Sequence, residues 1–447
     1  MSRSPYYGFH PKCLNLRITH LAYADDLLLL SRGDTRSVSM VMHCLNSFGD
    51  MAGLRVNLLK SNIYMAGIDV RLQDELLQIT GFTPGTLPFR YLGIPLAARN
   101  LRSSDYSKLV DAIAAKFSCW PRQSNSYAGK IELVRSVVQG IECFWLSILP
   151  IPNCIVDAIH SLCRKFVWPT KHPRIAWNSI CKPIEDGGLG LKDLKCWNKA
   201  LIAKTLWKIH MRKESLWIRW VNHVYSHFGE VWNWGWHKDE SPLIKQILAI
   251  RNDIIQRTGS VDAAACTLNS WFTNSYGIGK AYDFFAKNNG KWPWKPLLSR
   301  SCLLPKHRFT LWLMAHSKLR TRDRLVFVED KTCILCKVQI ETVEHLFFQC
   351  SFSCDVWREI RAWLGMSKNM GSPTAILRAF RNHYGGKSTL DRMRIMALAA
   401  TVYHIWNARN RSMFENEDPR LQDMVKRIKI VVLRCIPNSI DLCTALI

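Results

Sequence analysis

Cys333-Ile334-Leu335-Cys336 is followed after eight residues by His345 and after four more by Cys350. Four side chains of this kind at this spacing constrain the fold more than any other feature of the chain. A Cys-x-x-Cys turn presents two thiolates to one metal ion, and a histidine and a cysteine about one helical turn apart on the next element complete a tetrahedron of soft and borderline ligands. That is the composition of a closed structural zinc site, with no position left for a reacting water. Cys354 stands four residues beyond Cys350 and competes with it for the last place. A short segment with little core of its own gains a reason to fold, because structural zinc supplies roughly 10–16 kcal/mol of binding free energy coupled to folding.

The remaining cysteines, of 16 in all, are scattered singly. Met1-Ser2-Arg3-Ser4-Pro5 lacks the apolar core of a secretory leader, and no apolar run approaches bilayer length. The chain therefore reads as intracellular, nuclear or cytoplasmic, in a reducing setting and with no membrane partner. With 447 residues, 48% of them hydrophobic, it is long enough for two or three cores. Its net charge of +26 is uneven: basic against acidic residues number 10 to 7 over 1–100, 28 to 15 over 101–300 and 23 to 13 over 301–447. A cationic surface suits a polyanion, because each neutralised phosphate releases counterions, although charge alone carries no sequence specificity.

Periodicity and breakers divide the chain into five regions. Residues 1–100 carry short strands over 14–22 and 27–31 and a helix over 37–52, with Val38, Val41, Leu45 and Phe48 on its apolar face. Residues 101–200 read as helices with two stripes, Tyr106, Leu109, Ile113 and Phe117, then Ile131, Val134, Val138 and Ile141. Residues 201–300 are rich in tryptophan, whose rings are more often buried; Trp232-Asn233-Trp234-Gly235-Trp236 is the one place where stacking of unpaired bases on exposed indoles stays open. Residues 301–365 hold the zinc ligands. Beyond them Gly371, Pro373 and Gly385-Gly386 mark a linker, followed by a helix over 392–414 whose basic end carries Arg409 and Arg411, and by a helix candidate over 424–433.

Tyr23-Ala24-Asp25-Asp26 lies between apolar runs at 18–22 and 27–30. A buried hairpin would fix both aspartates at its tip, where hard oxygen ligands suit magnesium shared with phosphate; an ordinary polar turn is the alternative. Downstream come Gly53-Leu54-Arg55-Val56-Asn57 with Lys60-Ser61, then Phe89-Arg90-Tyr91-Leu92-Gly93-Ile94-Pro95-Leu96, Gly129-Lys130 and Glu185-Asp186-Gly187-Gly188-Leu189-Gly190. In this order the blocks resemble the reverse transcriptase of plant LINE-type (non-LTR) retrotransposons. Phe309-Thr310-Leu311-Trp312-Leu313, Lys318-Leu319-Arg320-Thr321-Arg322-Asp323-Arg324-Leu325, Glu344-His345-Leu346-Phe347-Phe348 and Trp357 resemble the zinc-binding domain that follows it, whose last ligand stands where Cys350 stands.

The resemblance implies an α+β chain: the C-terminal part of a polymerase palm (1–100), a mainly helical thumb (101–200), a connector (201–300), the zinc-binding domain (301–365), and a linker with C-terminal helices (366–447). Asp25 and Asp26 would bind Mg2+ or Mn2+, and Tyr91, Leu92 and Gly93 would form the primer grip. Lys60, Lys130, Arg320, Arg322 and Arg324 would contact an RNA template, an RNA–DNA hybrid or target DNA, with Lys116, Arg122 and Arg135 also facing the duplex. Two-metal transfer needs carboxylates from separate strands, clamping ions roughly 3.5–4 Å apart. The family's other aspartate lies upstream of the hairpin, whereas residues 1–24 contain no Asp or Glu. The chain is expected to be the C-terminal part of a larger polymerase and inactive alone, with too little sequence after its last helices for a ribonuclease H domain. A non-catalytic zinc-dependent nucleic-acid-binding protein and a relic without a retained role are the alternatives.

Overall fold

The computed structural model describes residues 7–97, 100–120, 126–168, 173, 175–225, 229–235, 240–272, 277–286, 292–368 and 370–435. These residues are mainly helical and include three separate two-stranded sheets. They divide into two compact units, residues 1–107 with 206–248, and residues 108–205 with 249–447.

β1 (His20–Tyr23) and β2 (Asp26–Leu29) form an antiparallel hairpin in which Tyr23 pairs with Asp26. Residues 14–18, expected to lengthen β1, turn instead: the Ile18 N–H donates to the Cys13 carbonyl, and Arg17 sits at φ 51°. α1 (Thr35–Ala52) packs on α2 (Val70–Thr80). Each starts at an aspartate, Asp34 or Asp69, that accepts a first-turn N–H, and each stops at a left-handed glycine, Gly53 or Gly81. β3 (Asn62–Ile63) pairs parallel with β4 (Thr83–Pro84), and β5 (Phe89–Tyr91) antiparallel with β6 (Ile94–Leu96). The Leu92-Gly93 turn between β5 and β6 has φ of 52° and 82°, the double positive φ that matches strand twist in a tight hairpin.

The aspartate hairpin is not buried as expected: Tyr23 is 63% and Leu27 46% exposed. A two-stranded ribbon has no inner strand, so its apolar side chains stay near the surface unless another layer covers them. Phe48 is likewise 55% exposed, although Val38 and Val41 on the same helix are buried.

Residues 101–200 fold as the stripes require. α3 (Ser107–Cys119) is followed by α4 (Tyr127–Leu133), which runs through a π turn at Val134–Val138 into α5 (Gln139–Ile148). α6 (Asn153–Val167), α7 (Trp177–Cys181) and α8 (Leu194–His210) come next. Tyr106, Leu109, Ile113 and Phe117 are buried, as are Ile131, Val134 and Val138, and Phe117 stacks on Phe166 at 4.6 Å. α9 (Leu216–Val224), α10 (Pro242–Thr258), α11 (Val261–Phe272), α12 (Gly277–Ala286) and α13 (Lys295–Leu298) follow.

Trp232 and Trp234 are core residues rather than a stacking platform. The Trp232 indole N–H donates to His210 Nδ1 at 3.1 Å, and that of Trp234 to the Gly229 carbonyl at 3.2 Å. With the one polar atom of each ring satisfied, burial of its large apolar area is favourable. Trp236 lies outside the described residues.

α14 (Pro305–Ala315), α15 (Ser351–Trp363), α16 (Pro373–Ala379), α17 (Thr389–Phe414) and α18 (Leu421–Arg434) complete the described helices. Every residue of α17 from 395 to 402 is buried, because α14, α15 and α18 all pack on it; a helix apolar all round belongs inside, not at a surface with one wet face. The expected linker is folded as well: α16 and a π turn at Phe380–Tyr384 bury Ile376, Phe380 and Tyr384. The turn Glu185–Gly190 docks on α14, where the Gly187 carbonyl accepts the Trp312 indole N–H at 2.8 Å and lies 2.7 Å from His316 Nε2. Only glycine fits at 188, since an added Cβ would stand 1.7 Å from the Lys182 carbonyl oxygen.

Candidate metal centre

The metal-ligand segment is built from two backbone devices. In the first, the Cys333 N–H donates to the Gln339 carbonyl and the Lys337 N–H to the Cys333 carbonyl, both at 2.7 Å, with Lys337 at φ 57° closing the turn. This loop is pinned at its base by a bridge between Thr332 and Ile340, and it aims Cys333 and Cys336 at one point. In the second, His345–Gln349 form a π turn, and the Cys350 N–H donates to the His345 carbonyl at 2.7 Å. The wider turn brings residues five apart onto the same side, which an α-helical turn would not. The chain then leaves the turn at Cys350, the N-cap of α15.

The four ligand atoms lie within 4.8 Å of one another. Cys336 Sγ is 3.2 Å from His345 Nε2, and Cys333 Sγ is 3.9 Å from Cys350 Sγ. A zinc tetrahedron with metal–sulfur bonds near 2.3 Å and metal–nitrogen bonds near 2.0 Å has edges of roughly 3.5–3.8 Å, so the side chains fit a zinc ion with small adjustments. Cys333, His345 and Cys350 are buried and Cys336 is partly so. His345 Nδ1 meets Gln339 Oε1 at 3.0 Å, which fixes the ring and leaves Nε2 for the metal. Cys350 is held below the usual thiol range: the Cys333 thiol donates to it, burial opposes the shift, and the N–H groups of Ser353 and Phe352 in the first turn of α15 favour the thiolate. Cys354 is not part of the group; its thiol faces the Phe348 carbonyl at 3.3 Å. Zinc bound here would hold the two devices together as a structural ion, with all four positions taken by protein.

Residues that no spacing rule flags support this centre. Glu341 is fully buried; its Oε1 accepts the Arg322 backbone N–H at 2.8 Å and Arg409 Nε–H at 2.9 Å, and Arg409 Nη2 stands 2.7 Å from it as the ion-pair partner. Arg409, expected at the basic end of its helix where the dipole favours a cation, is buried and ties α17 to Glu341, next to the Thr332–Ile340 bridge of the metal loop. Arg322, expected to face nucleic acid, directs its guanidinium to the Thr332 carbonyl and to Asp330 at 3.3 Å. Gln339 and Glu341 have no sequence signal beyond lying between the ligands.

The other expected site residues fall as follows. Arg320 and Arg324 are exposed beside the centre, and Lys60 is exposed after the Asn57-capped turn. Lys130 is only 4% exposed, with its ammonium over the Tyr127 and Phe166 rings at 5.7 and 5.9 Å, so it faces the core and not a duplex. Arg135 also turns inward, donating to the Leu189 carbonyl, while Lys116 is exposed and Arg122 lies outside the described residues. Asp25 and Asp26 are exposed at the β1–β2 tip, and Tyr91, Leu92 and Gly93 belong to a different sheet. Among the described residues, the one group of three or more metal-capable side chains is Cys333, Cys336, His345 and Cys350. No described helix is long and apolar enough to cross a membrane.

Residues 276–357 match the family described as zinc-binding in reverse transcriptase. Over 148 residues the chain is 26% identical to an Arabidopsis thaliana protein named for ribonuclease H, a match that spans 32% of this chain and 24% of that protein. The ligands brought together by the fold all lie inside the matched segment. The segment that holds the four ligands thus matches the zinc-binding domain of reverse transcriptases.

Proposed function

We propose that this chain is a nucleic-acid-binding protein derived from the C-terminal part of a LINE-type reverse transcriptase, with RNA–DNA hybrid as its preferred partner and no primer extension on its own. The observation that carries the reading is the Cys3His centre inside a segment matching the zinc-binding domain of reverse transcriptases, with Lys318, Arg320 and Arg324 exposed beside it. Arg322, bound to Glu341, Thr332 and Asp330, ties the segment carrying these cations to the metal loop, which suits backbone recognition of a duplex. The excess of basic residues in the rest of the chain favours the same class of partner.

Asp25 and Asp26 would be magnesium or manganese ligands in an intact polymerase. Here they form an exposed pair without a third metal-capable side chain at the same point among the described residues. Two-metal transfer needs more than that.

The test is fluorescence anisotropy with an RNA–DNA hybrid, single-stranded RNA and duplex DNA across a salt series. The reading expects affinity that falls steeply with salt, and a slope reduced by about 1 in Arg320→Gln. Salt-independent or absent binding to all three would remove the reading. Primer extension by the wild-type chain that disappears in Asp25→Asn would restore catalysis.

A further inference from the structure

Leu325-Val326-Phe327-Val328 lies between the arginines beside the centre and the metal loop. The Val328 N–H donates to the Leu325 carbonyl at 3.3 Å, which closes a tight turn with Val326 and Phe327 at its corners. Such corners ordinarily go to Gly, Pro, Asn, Asp or Ser, which supply the required φ or a local hydrogen bond. Here they hold a β-branched residue and an aromatic one. Val326 is 98% and Phe327 73% exposed; with Val338 of the metal loop at 76%, they are the three most exposed large apolar side chains among the described residues of 108–205 and 249–447. One exposed apolar side chain needs no explanation, but two at the corners of one turn, where polar residues belong, do.

The turn is anchored on both sides. Leu325 is buried, the Lys331 ammonium donates to its carbonyl, and Arg322 reaches the Thr332 carbonyl and Asp330 at 3.3 Å. These anchors lie within three residues of Cys333, so the turn keeps its place relative to the metal loop. An apolar tip that is already ordered loses little entropy when it is covered.

Charge and size decide what covers it. From Lys318 to Ile340 there are six basic residues against three acidic ones, and Arg320, Arg324 and Lys337 are exposed. The surroundings of the tip therefore favour a polyanion. A two-residue tip offers far less than the roughly 800 Å2 per partner that a specific protein interface buries. A single nucleobase is flat, has an apolar face and carries a phosphate next to it, which matches an exposed ring among cations.

We propose that Phe327 stacks on an unpaired base where a strand leaves a hybrid duplex, while Arg320 and Arg324 meet the adjoining phosphates. This inference rests on the nucleic-acid reading above and adds to it a preference for a junction over a blunt duplex. Stacking needs only a π face, so the preference is indifferent to which base is presented.

Fluorescence anisotropy on the full-length, zinc-loaded chain would compare a blunt RNA–DNA hybrid with the same hybrid carrying a short single-stranded RNA overhang. The overhang is expected to bind about fivefold or more tightly, and Phe327→Ala to abolish that difference while leaving blunt-hybrid affinity unchanged. Phe327→Trp should keep the preference, and Arg320→Gln should weaken both probes alike. Because Phe327 is exposed, zinc content should be the same in all of these chains. Equal wild-type affinity for the two probes, or a preference that survives in Phe327→Ala, would overturn the inference and leave the function proposed above in place. No salt-dependent binding to either probe would remove both. Phe327-dependent binding to phosphatidylserine vesicles, without an overhang preference, would assign the tip to a membrane surface instead.

Discussion

Two groups of residues of the types that ligate metals stand out in this sequence, and the fold treats them in opposite ways. Cys333, Cys336, His345 and Cys350 converge within 4.8 Å inside a buried shell, whereas Asp25 and Asp26 sit exposed at the tip of a two-stranded ribbon. The zinc ligands span only 18 residues, counted from Cys333 to Cys350, so local turns alone can assemble them. The aspartates need carboxylates from elsewhere in the chain, and no spacing rule within the hairpin can supply those. A pattern whose partners are local can be read as a site; one whose partners are remote can be read only as half of one.

The comparison breaks most directly at the metal. Chelation of zinc, or Cys333→Ser, is expected to unfold the 330–350 segment and loosen α15, a loss drawn from roughly 10–16 kcal/mol of metal-coupled folding. Circular dichroism and hydrogen exchange would report it, with β1–β2 amides unaffected. If protection across 333–350 survives chelation, the segment folds without metal and the contrast between the two regions fails.

The buried ion pair sharpens the contrast one step further out. Glu341→Gln leaves Arg409 with an uncompensated charge beside the metal loop, and urea denaturation should show a loss of about 3–5 kcal/mol. Replacing both partners by Leu and Met should cost much less. Equal losses in the single and double variants would mean that shape, not charge, is what the pair contributes.

Next comes pH. Burial first, then neighbouring charge from His404 and Lys306, pushes His307 down to about 3; burial, then Lys306 and Arg427, pushes His404 down to about 4. Both rings lie where α14 meets α17, with centroids 5.9 Å apart, and both are neutral in the fold at pH 7. The unfolded chain takes up their protons below about pH 6.5, so stability is fully present above that value and declines as pH falls through 4 toward 3, by a few kcal/mol in all, on the order set by linkage. Urea midpoints between pH 7 and 4 should fall, and His307→Gln with His404→Gln should flatten the trend. The smallest expected effect is at the other pattern: Asp25→Asn should change the melting free energy by less than about 0.5 kcal/mol, as for other exposed surface changes.

Much of the helical architecture was legible. The stripes Tyr106 to Phe117 and Ile131 to Val138 are core, and the zinc ligands could be named from spacing, because both depend on neighbours a few residues away. What was not legible depends on distant contacts. Lys130 looks like any surface lysine until Tyr127 and Phe166 close over it, and Arg409 looks like a helix-end cation until Glu341, far away in sequence, reaches it. The tryptophans at 232 and 234 are buried because His210 and the Gly229 carbonyl satisfy their N–H groups. The polar, glycine-marked stretch after 365 looked like a linker, since the partners of Phe380 and Tyr384 are not visible in one dimension.

The central claim is that one zinc ion, held by Cys350 and not by Cys354, organises the metal-ligand segment. Zinc content by native mass spectrometry on the wild-type, Cys350→Ser and Cys354→Ser chains tests it directly. One zinc per chain in the wild type and in Cys354→Ser, and none in Cys350→Ser, is the expected result. Zinc retained in Cys350→Ser and lost in Cys354→Ser, or absent from all three, would contradict the account.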